Sequence, residues 1–255
     1  MFNASKVKSD LVQWIKDFFN CPGHKGSKAV IGISGGADSN ITAALCKEAL
    51  GAKNVFGVLM PNGVQNDIED AHSLVRHLGI TYCELNIEPI VTAFYKVLED
   101  GGFTLNDMVT TNTPARIRSA LLFAICAMER GRFCNNGNAS EVAIGWRTKG
   151  GDTVGDFAPL KNLVKSEVIA VGHETELLAR HVDKTPEDGL SGKSDEENFG
   201  FTYEELDRFI RTGYINDPAT KNRITQMMIR GAHKEVPIKS FPYSPTDTLK
   251  KEEHK

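Results

Sequence analysis

"VIGISGGADSNITAALCKEAL", residues 30–50, passes from an apolar run through a glycine-rich knot into a helical pattern. Val30, Ile31 and Ile33 predict a short buried strand, and Asp38–Leu50 a helix stopped by Gly51. The first such turn of an open α/β sheet lies at the carboxyl end of its strand, where ligands bind. In Ser34-Gly35-Gly36-Ala37-Asp38-Ser39 the glycines let the backbone turn tightly and come close to an anion. The amides then face a concavity backed by the positive end of the helix, and Ser34 and Ser39 add hydroxyl donors. This is a phosphate nest. It has no lysine and matches neither GxGxxG nor GxxxxGK[ST].

Asp38 bears on the chemistry. A carboxylate in a phosphate nest is repelled unless a cation lies between. One reading makes Asp38 the helix N-cap, which aspartate does well. The other places Mg²⁺ between Asp38 and phosphate oxygens. The turn would then bind pyrophosphate through magnesium, the group released when ATP is cleaved between its α and β phosphates.

Outward from this loop, residues 5–19 predict an amphipathic helix. "NVFGVLM" and "TYCELNI" predict strands, with helices over 67–78 and 88–99. Strand–helix alternation with short connections means a parallel sheet covered on both faces. In "NTPARIRSALLFAICAMERG", residues 112–131, Pro114 suits a first helical turn and Gly131 a stop. Ala120–Met128 is apolar all round, which predicts burial on every side, against either a second subunit or the chain's own core. "RFCNNGN" predicts a strand running into a turn, "KGGDTVGD" a loop, and 164–180, 202–212 and 217–231 helices. Residues 183–200 are polar and glycine-rich, the composition of a lid or a disordered stretch, and the tail beyond Pro245 is charged.

The composition narrows the classes. A net charge of −3 leaves no basic footprint for nucleic acid, and no apolar run approaches the length of about 18 residues that a membrane span requires. Five cysteines without a CxxC pair argue for reduced thiols in a cytoplasmic protein and against a zinc ribbon or disulfide scaffold.

"SGGADS" after a strand resembles the pyrophosphate loop of the N-type ATP pyrophosphatases, which adenylate a carboxylate or carbonyl oxygen and let a nitrogen or sulfur nucleophile displace AMP. Four further stretches resemble one branch, the ammonia-dependent NAD synthetases: "ARIRSALLFAICA" (115–127), "GNASEVAIGWRTKGGDTVGDFAPLKNLVKSEV" (137–168), "SDEENFGFTYEELDRFI" (194–210) and "HKEVPIKSF" (233–241). Order and spacing hold from about residue 28 to 241, with no added amidase domain of the kind a glutamine-using member carries. The resemblance implies a Rossmann-like open parallel sheet with helices on both faces, of the adenine nucleotide alpha hydrolase type. It implies one domain over 1–245, a charged tail over 246–255, and a homodimer. The reaction implied is MgATP plus deamido-NAD⁺ plus ammonia, giving NAD⁺, AMP and pyrophosphate.

Residue by residue, the resemblance implies that Gly32, Ile33, Ser34, Gly35, Gly36, Ala37, Asp38 and Ser39 cradle the ATP phosphates. Asp38 and Glu141 match the magnesium carboxylates; Glu141 in "NASE" equally fits a capping pattern. Lys165 matches a lysine on the ATP phosphates, and its place near a helix start favours an anion partner. Asp38 and Lys165 are the residues expected to carry catalysis. Lys149, Asp156, His233 and Lys234 match deamido-NAD contacts; taken singly, each is an ordinary surface group. Arg116 matches an arginine that reaches the dinucleotide bound mainly by the other subunit, or forms a basic pair with Arg118. Two positions depart from the family pattern. Asn136 stands where a threonine usually touches ATP, and Glu187 in "KTPEDGL" where serine or threonine is frequent, with Thr185 and Ser191 the nearby hydroxyls.

Two rivals remain at this stage. One is another amidating or thiolating ATP pyrophosphatase; thiolation wants a persulfide-carrying cysteine, and Cys134 alone lies near the 136–141 turn. The other is a nucleotide-binding regulator without turnover, which has less need of two metal carboxylates.

Overall fold

The computed structural model describes residues 2–65, 68–184 and 194–242. The chain opens with α1 (Ala4–Asn20), then β1 (Lys28–Gly32), α2 (Ala37–Leu50), β2 (Val55–Leu59), α3 (Ile68–Leu78), β3 (Thr81–Glu84), α4 (Glu88–Asp100), α5 (Asp107–Glu129) and β4 (Gly131–Cys134). The four strands are parallel in the order β3-β2-β1-β4. Val30 pairs with Phe56 on one side and Phe133 on the other. The order reverses at β1, so a crevice opens beyond the carboxyl ends of β1 and β4.

Alternation along β1 feeds both faces of the sheet. Ala29 and Ile31 join a core with α1, α2 and α3 through Ile15, Ile41, Leu45 and Leu74. Val30 joins the opposite core, with Ile87, Val91, Ile117, Leu122 and Ile125. This is the expected α/β sandwich.

Beyond β4 come α6 (Ala139–Ile144), α7 (Lys165–His173), α8 (Ala179–Val182), α9 (Asp195–Phe199), α10 (Tyr203–Thr212) and α11 (Pro218–Gly231). Ile144, Phe199, Leu206 and Ile224 form a third cluster. It closes where α6 meets α11: a Cβ on Gly145 would lie 2.3 Å from Gly231 Cα, and Gly145 itself has φ +65°.

Four expectations are corrected. First, α5 begins at Asp107, so Pro114 lies inside the helix rather than in its first turn. The missing N–H would orphan the Thr110 carbonyl, and the Tyr95 hydroxyl donates to that oxygen at 2.9 Å. Second, α5 stops on Arg130 at φ +53°, while Gly131 opens β4. A Cβ on Gly131 would lie 2.3 Å from Val30 Cγ2, so the glycine is needed for strand contact. Third, α7 ends at His173, and the expected helix resumes only as the short α8. Fourth, within the chain only one face of 120–128 is buried. Leu122, Ile125 and Cys126 point inward, while Phe123 and Met128 are 46% and 73% exposed.

Candidate active site

The loop after β1 is held open by its own hydroxyls. Ser34 Oγ lies 3.2 Å from Ser39 Oγ and accepts from Gly36 N at 3.2 Å, and Ser39 Oγ donates to Gly36 O at 3.0 Å. Gly35 has φ +81°, and a side chain there would meet Ala71 N at 3.0 Å. The N-cap of α2 is Gly36, so capping is not the role of Asp38, which stands inside the first turn.

Asp38 is instead the centre of an ionic cluster. Lys165, at the start of α7, brings Nζ to 2.8 Å from Asp38 Oδ2, and the two side chains are 8% and 16% exposed. Asn138 Nδ2 adds a bond to the same oxygen at 3.3 Å. Asp38 Oδ1 is buried with no hydrogen-bond partner among the described residues. Burial pulls the Lys165 ammonium down, but the charges of Asp38 and Glu141 outweigh it and hold its pKa above the ordinary lysine value. The ring of Tyr203 lies beneath, 5.6 Å from Nζ.

Glu141 is the second carboxylate. Asn138 caps α6 by accepting from Ser140 N and Glu141 N, and Glu141 Oε2 returns only a long 3.5 Å contact to Asn138 N. The capping pattern is therefore present but weak. Enclosure by protein, then the nearby Asp38 charge, push the Glu141 carboxyl up to about 8, against the opposing pull of Lys165. A carboxyl that resists ionising beside an unpartnered carboxylate oxygen is a site short of positive charge. Hard oxygen donors suit Mg²⁺. No group of three potential ligands gathers among the described residues, so such an ion would draw the rest of its shell from phosphate and water.

Asn136 donates from Nδ2 to Gly32 O at 2.9 Å and keeps a buried Oδ1, without a partner among the described residues, at the crevice between β1 and β4. Glu187 lies outside the described residues, as do Thr185 and Ser191.

A second group gathers next to this crevice. Arg116 Nε donates to Lys149 O at 3.2 Å, Lys149 Nζ to His233 O at 3.1 Å, and Lys234 Nζ to Gly145 O at 2.7 Å. Four of the five residues matched to the dinucleotide thus come together from α5, the glycine-rich loop and the turn after α11. Asp156 is turned to a different partner: its Oδ2 accepts from Phe133 N at 2.7 Å. It lines a cleft of ≈ 210 Å³ with Asn135, Arg147 and Lys161.

Several residues of this architecture carry no local signal in the sequence. Arg147, with a side chain only 2% exposed, bonds Asn135 Oδ1 at 2.9 Å and Glu235 at 3.0 Å. Ser140 Oγ accepts from Lys165 N and donates to Asp207, tying α6 and α7 to α10. Each joins parts of the chain far apart, and only the fold pairs them. Cys134 is 1% exposed, and burial, with Cys46 beside it, holds its thiol far from ionisation, unlike a sulfur carrier.

A glycine-rich turn at the switch point of a parallel sheet, with two carboxylates and a lysine beside it, is the architecture of an α/β nucleotide-handling protein. Comparison with known proteins narrows this. The model of the NAD synthase family matches residues 7–255, and the chain belongs to that family. The NH(3)-dependent NAD(+) synthetase of Thermococcus sibiricus is 33% identical over 98% of this chain and 94% of its own. That of Finegoldia magna is 33% identical over 94% and 98%. Among solved structures, NMN synthetase from Francisella tularensis superposes with a TM-score of 0.87 at 30% identity, covering 95% of this chain and 100% of that one. The NH3-dependent NAD synthetase of Campylobacter jejuni gives 0.76 at 28% identity, with the same coverage.

Proposed function

We propose that the chain, acting as one unit over residues 1–245, is an ammonia-dependent NAD⁺ synthetase. It adenylates the nicotinate carboxylate of deamido-NAD⁺ with ATP and releases pyrophosphate. Ammonia then attacks the mixed anhydride, the C–N bond forms, AMP leaves, and a proton is lost from nitrogen. The carboxylate is a poor electrophile, and adenylation supplies its leaving group. Such chemistry asks for positioning and charge neutralisation more than for a nucleophilic side chain.

One observation carries the reading: Asp38 Oδ1, buried beside the glycine-rich turn without a partner among the described residues, while Lys165 holds the other oxygen. Bound Mg²⁺ would screen the departing pyrophosphate, with Asp38 and Glu141 as its protein ligands. The Gly32–Ser39 loop orients the phosphates, chiefly through the amides that open α2 and the Ser34 and Ser39 hydroxyls. Lys165 is poised to shift its charge from Asp38 toward the phosphate. Arg116, Lys149, His233 and Lys234 hold the nicotinate substrate, and Asp156 lies at the rim of the neighbouring cleft.

The functional unit is a homodimer on this reading. On α5, Phe123 and Met128 are exposed, and on α4, which packs against α5, Phe94 and Val97 are 47% and 71% exposed, apolar area that water disfavours. The thiols of Cys46, Cys126 and Cys134 are free and buried, which suits the reducing cytosol.

The test is pyrophosphate release from ATP. Release that requires deamido-NAD⁺, and that continues over many turnovers only when ammonia is present, supports the synthetase; release driven by another acceptor makes the chain a sibling ligase; nucleotide binding without release makes it a regulator. The likeness to NMN synthetase favours a second reading in which the amidated substrate is the nicotinate mononucleotide. The two share one chemistry, and the ratio of kcat/KM for the mononucleotide and the dinucleotide decides between them.

A further inference from the structure

Asn40 has no part in the chemistry above, yet it is wholly buried one residue after Ser39. Its backbone N–H makes the ordinary first helical bond to Gly36 O at 3.1 Å. Its side chain does something further: Nδ2 donates to Gly35 O at 3.0 Å and to His181 O in α8 at 2.9 Å. Both partners are carbonyls, so the amide nitrogen can point only this way. The carbonyls of Gly35 and Gly36 are thus both held by one residue.

In a planar trans peptide the C=O and the following N–H point to opposite sides. Holding those carbonyls against Asn40 turns the N–H groups of Gly36 and Ala37 away from it; that of Gly36 lies on the Ser34 hydroxyl. A Gly-Gly peptide has no side chains to resist rotation, and Gly35 is already at φ +81°. Such a turn keeps its amides aimed only if something restrains the peptide plane. Helix α8, the second anchor, is itself bound to α3: His181 Nε2 lies 3.2 Å from Ser73 Oγ, and Lys184 Nζ lies 2.7 Å from Asp70 Oδ2.

We propose that Asn40 is a positioning residue for the phosphate nest, clamping the Gly35–Gly36 peptide, whose N–H stays on the Ser34 hydroxyl, so that the turn keeps the Ser34 hydroxyl and the first amides of α2 placed for the leaving pyrophosphate, with the bond to His181 O holding its side chain in place. The inference rests on the proposed function for its kinetic consequence, but not for its binding consequence.

Asn40→Leu keeps the bulk and removes both donors. Mg-pyrophosphate, titrated calorimetrically into the full-length protein, is expected to bind about tenfold more weakly to N40L than to wild type. The kcat for pyrophosphate release should fall by about tenfold or more, with the KM for the nicotinate substrate unchanged. In wild-type protein, Mg-pyrophosphate should also slow amide exchange across residues 179–184, and in N40L it should not. Undiminished pyrophosphate binding by N40L, or no ligand-dependent slowing at 179–184 in wild type, overturns the inference while leaving the synthetase reading intact. Wild-type protein that binds no pyrophosphate overturns both. Should N40L not fold, the wild-type exchange experiment decides alone.

Discussion

Lys165 Nζ sits 2.8 Å from Asp38 Oδ2, while Asp38 Oδ1, on the same carboxylate, is buried with nothing to bond among the described residues. Burying half a carboxylate unpaired is costly unless a cation completes it in the working state. Residues on α2 and α7 are 127 positions apart in the chain, so the contact depends on the whole sheet being assembled.

Asp38→Asn keeps the shape of the side chain and removes its charge. The kcat for pyrophosphate release should drop by about 10²–10³-fold, the scale of losing one preorganised electrostatic group. The midpoint of thermal unfolding under EDTA should move far less than the activity. Steady-state kinetics and thermal melts on the same preparation check this.

Glu141 sets a pH dependence. Burial and the nearby Asp38 charge push its carboxyl up to about 8 in the fold, from the ordinary value of 4.5. Between those values the native metal-free protein holds a proton that the unfolded chain lacks. Its contribution to stability is therefore full at low pH and declines as pH rises through the window, at roughly 1.4 kcal/mol per unit. Glu141→Gln, compared with wild type in EDTA, should lose this component of the slope in urea melts. Mg²⁺ binding to wild type near neutral pH should release a proton, read as a dependence of the binding heat on buffer ionisation.

Gly145→Ala tests the junction of α6 and α11. The residue is at φ +65°, and its Cβ would lie 2.3 Å from Gly231 Cα. Strain and overpacking together should cost about 2 kcal/mol or more. The denaturant midpoint should fall with the m-value unchanged.

On the proposed homodimer, with the exposed Phe123 of α5 at its contact, Phe123→Glu should give a monomer in light scattering, because a charge would be buried there. Far-ultraviolet circular dichroism should stay unchanged, since Phe123 is 46% exposed within its own chain.

The turn from β1 into α2 was legible because its strand, its glycines and its helix are consecutive residues. The parallel sheet was legible because buried strands read as short apolar runs between helical periods. What escaped depends on contacts between distant positions. The start of α5 was hidden because Pro114 signals a helix start unless another group satisfies Thr110 O, and that group, Tyr95, belongs to α4. The end of α5 was misplaced by one residue because Gly131 serves its contact with Val30, leaving the left-handed turn to Arg130. Asn138, Ser140 with Asp207, and Arg147 with Asn135 were invisible because each pairing is made by the fold alone. The apolar ring at 120–128 predicts burial against a second subunit or the chain's own core; the chain itself covers only the side with Leu122, Ile125 and Cys126, and hydrophobicity says that a surface avoids water, not which chain covers it.

The central claim is a divalent ion joining Asp38 Oδ1 to the pyrophosphate of ATP. Its most direct test is an anomalous-scattering map of crystals grown with Mn²⁺ and an ATP analogue that resists cleavage between the α and β phosphates. The account predicts a metal peak at about 2.0–2.3 Å from Asp38 Oδ1, shared with a phosphate oxygen. A nucleotide seated in the loop with Asp38 still bonded only to Lys165, and the metal elsewhere, would contradict it.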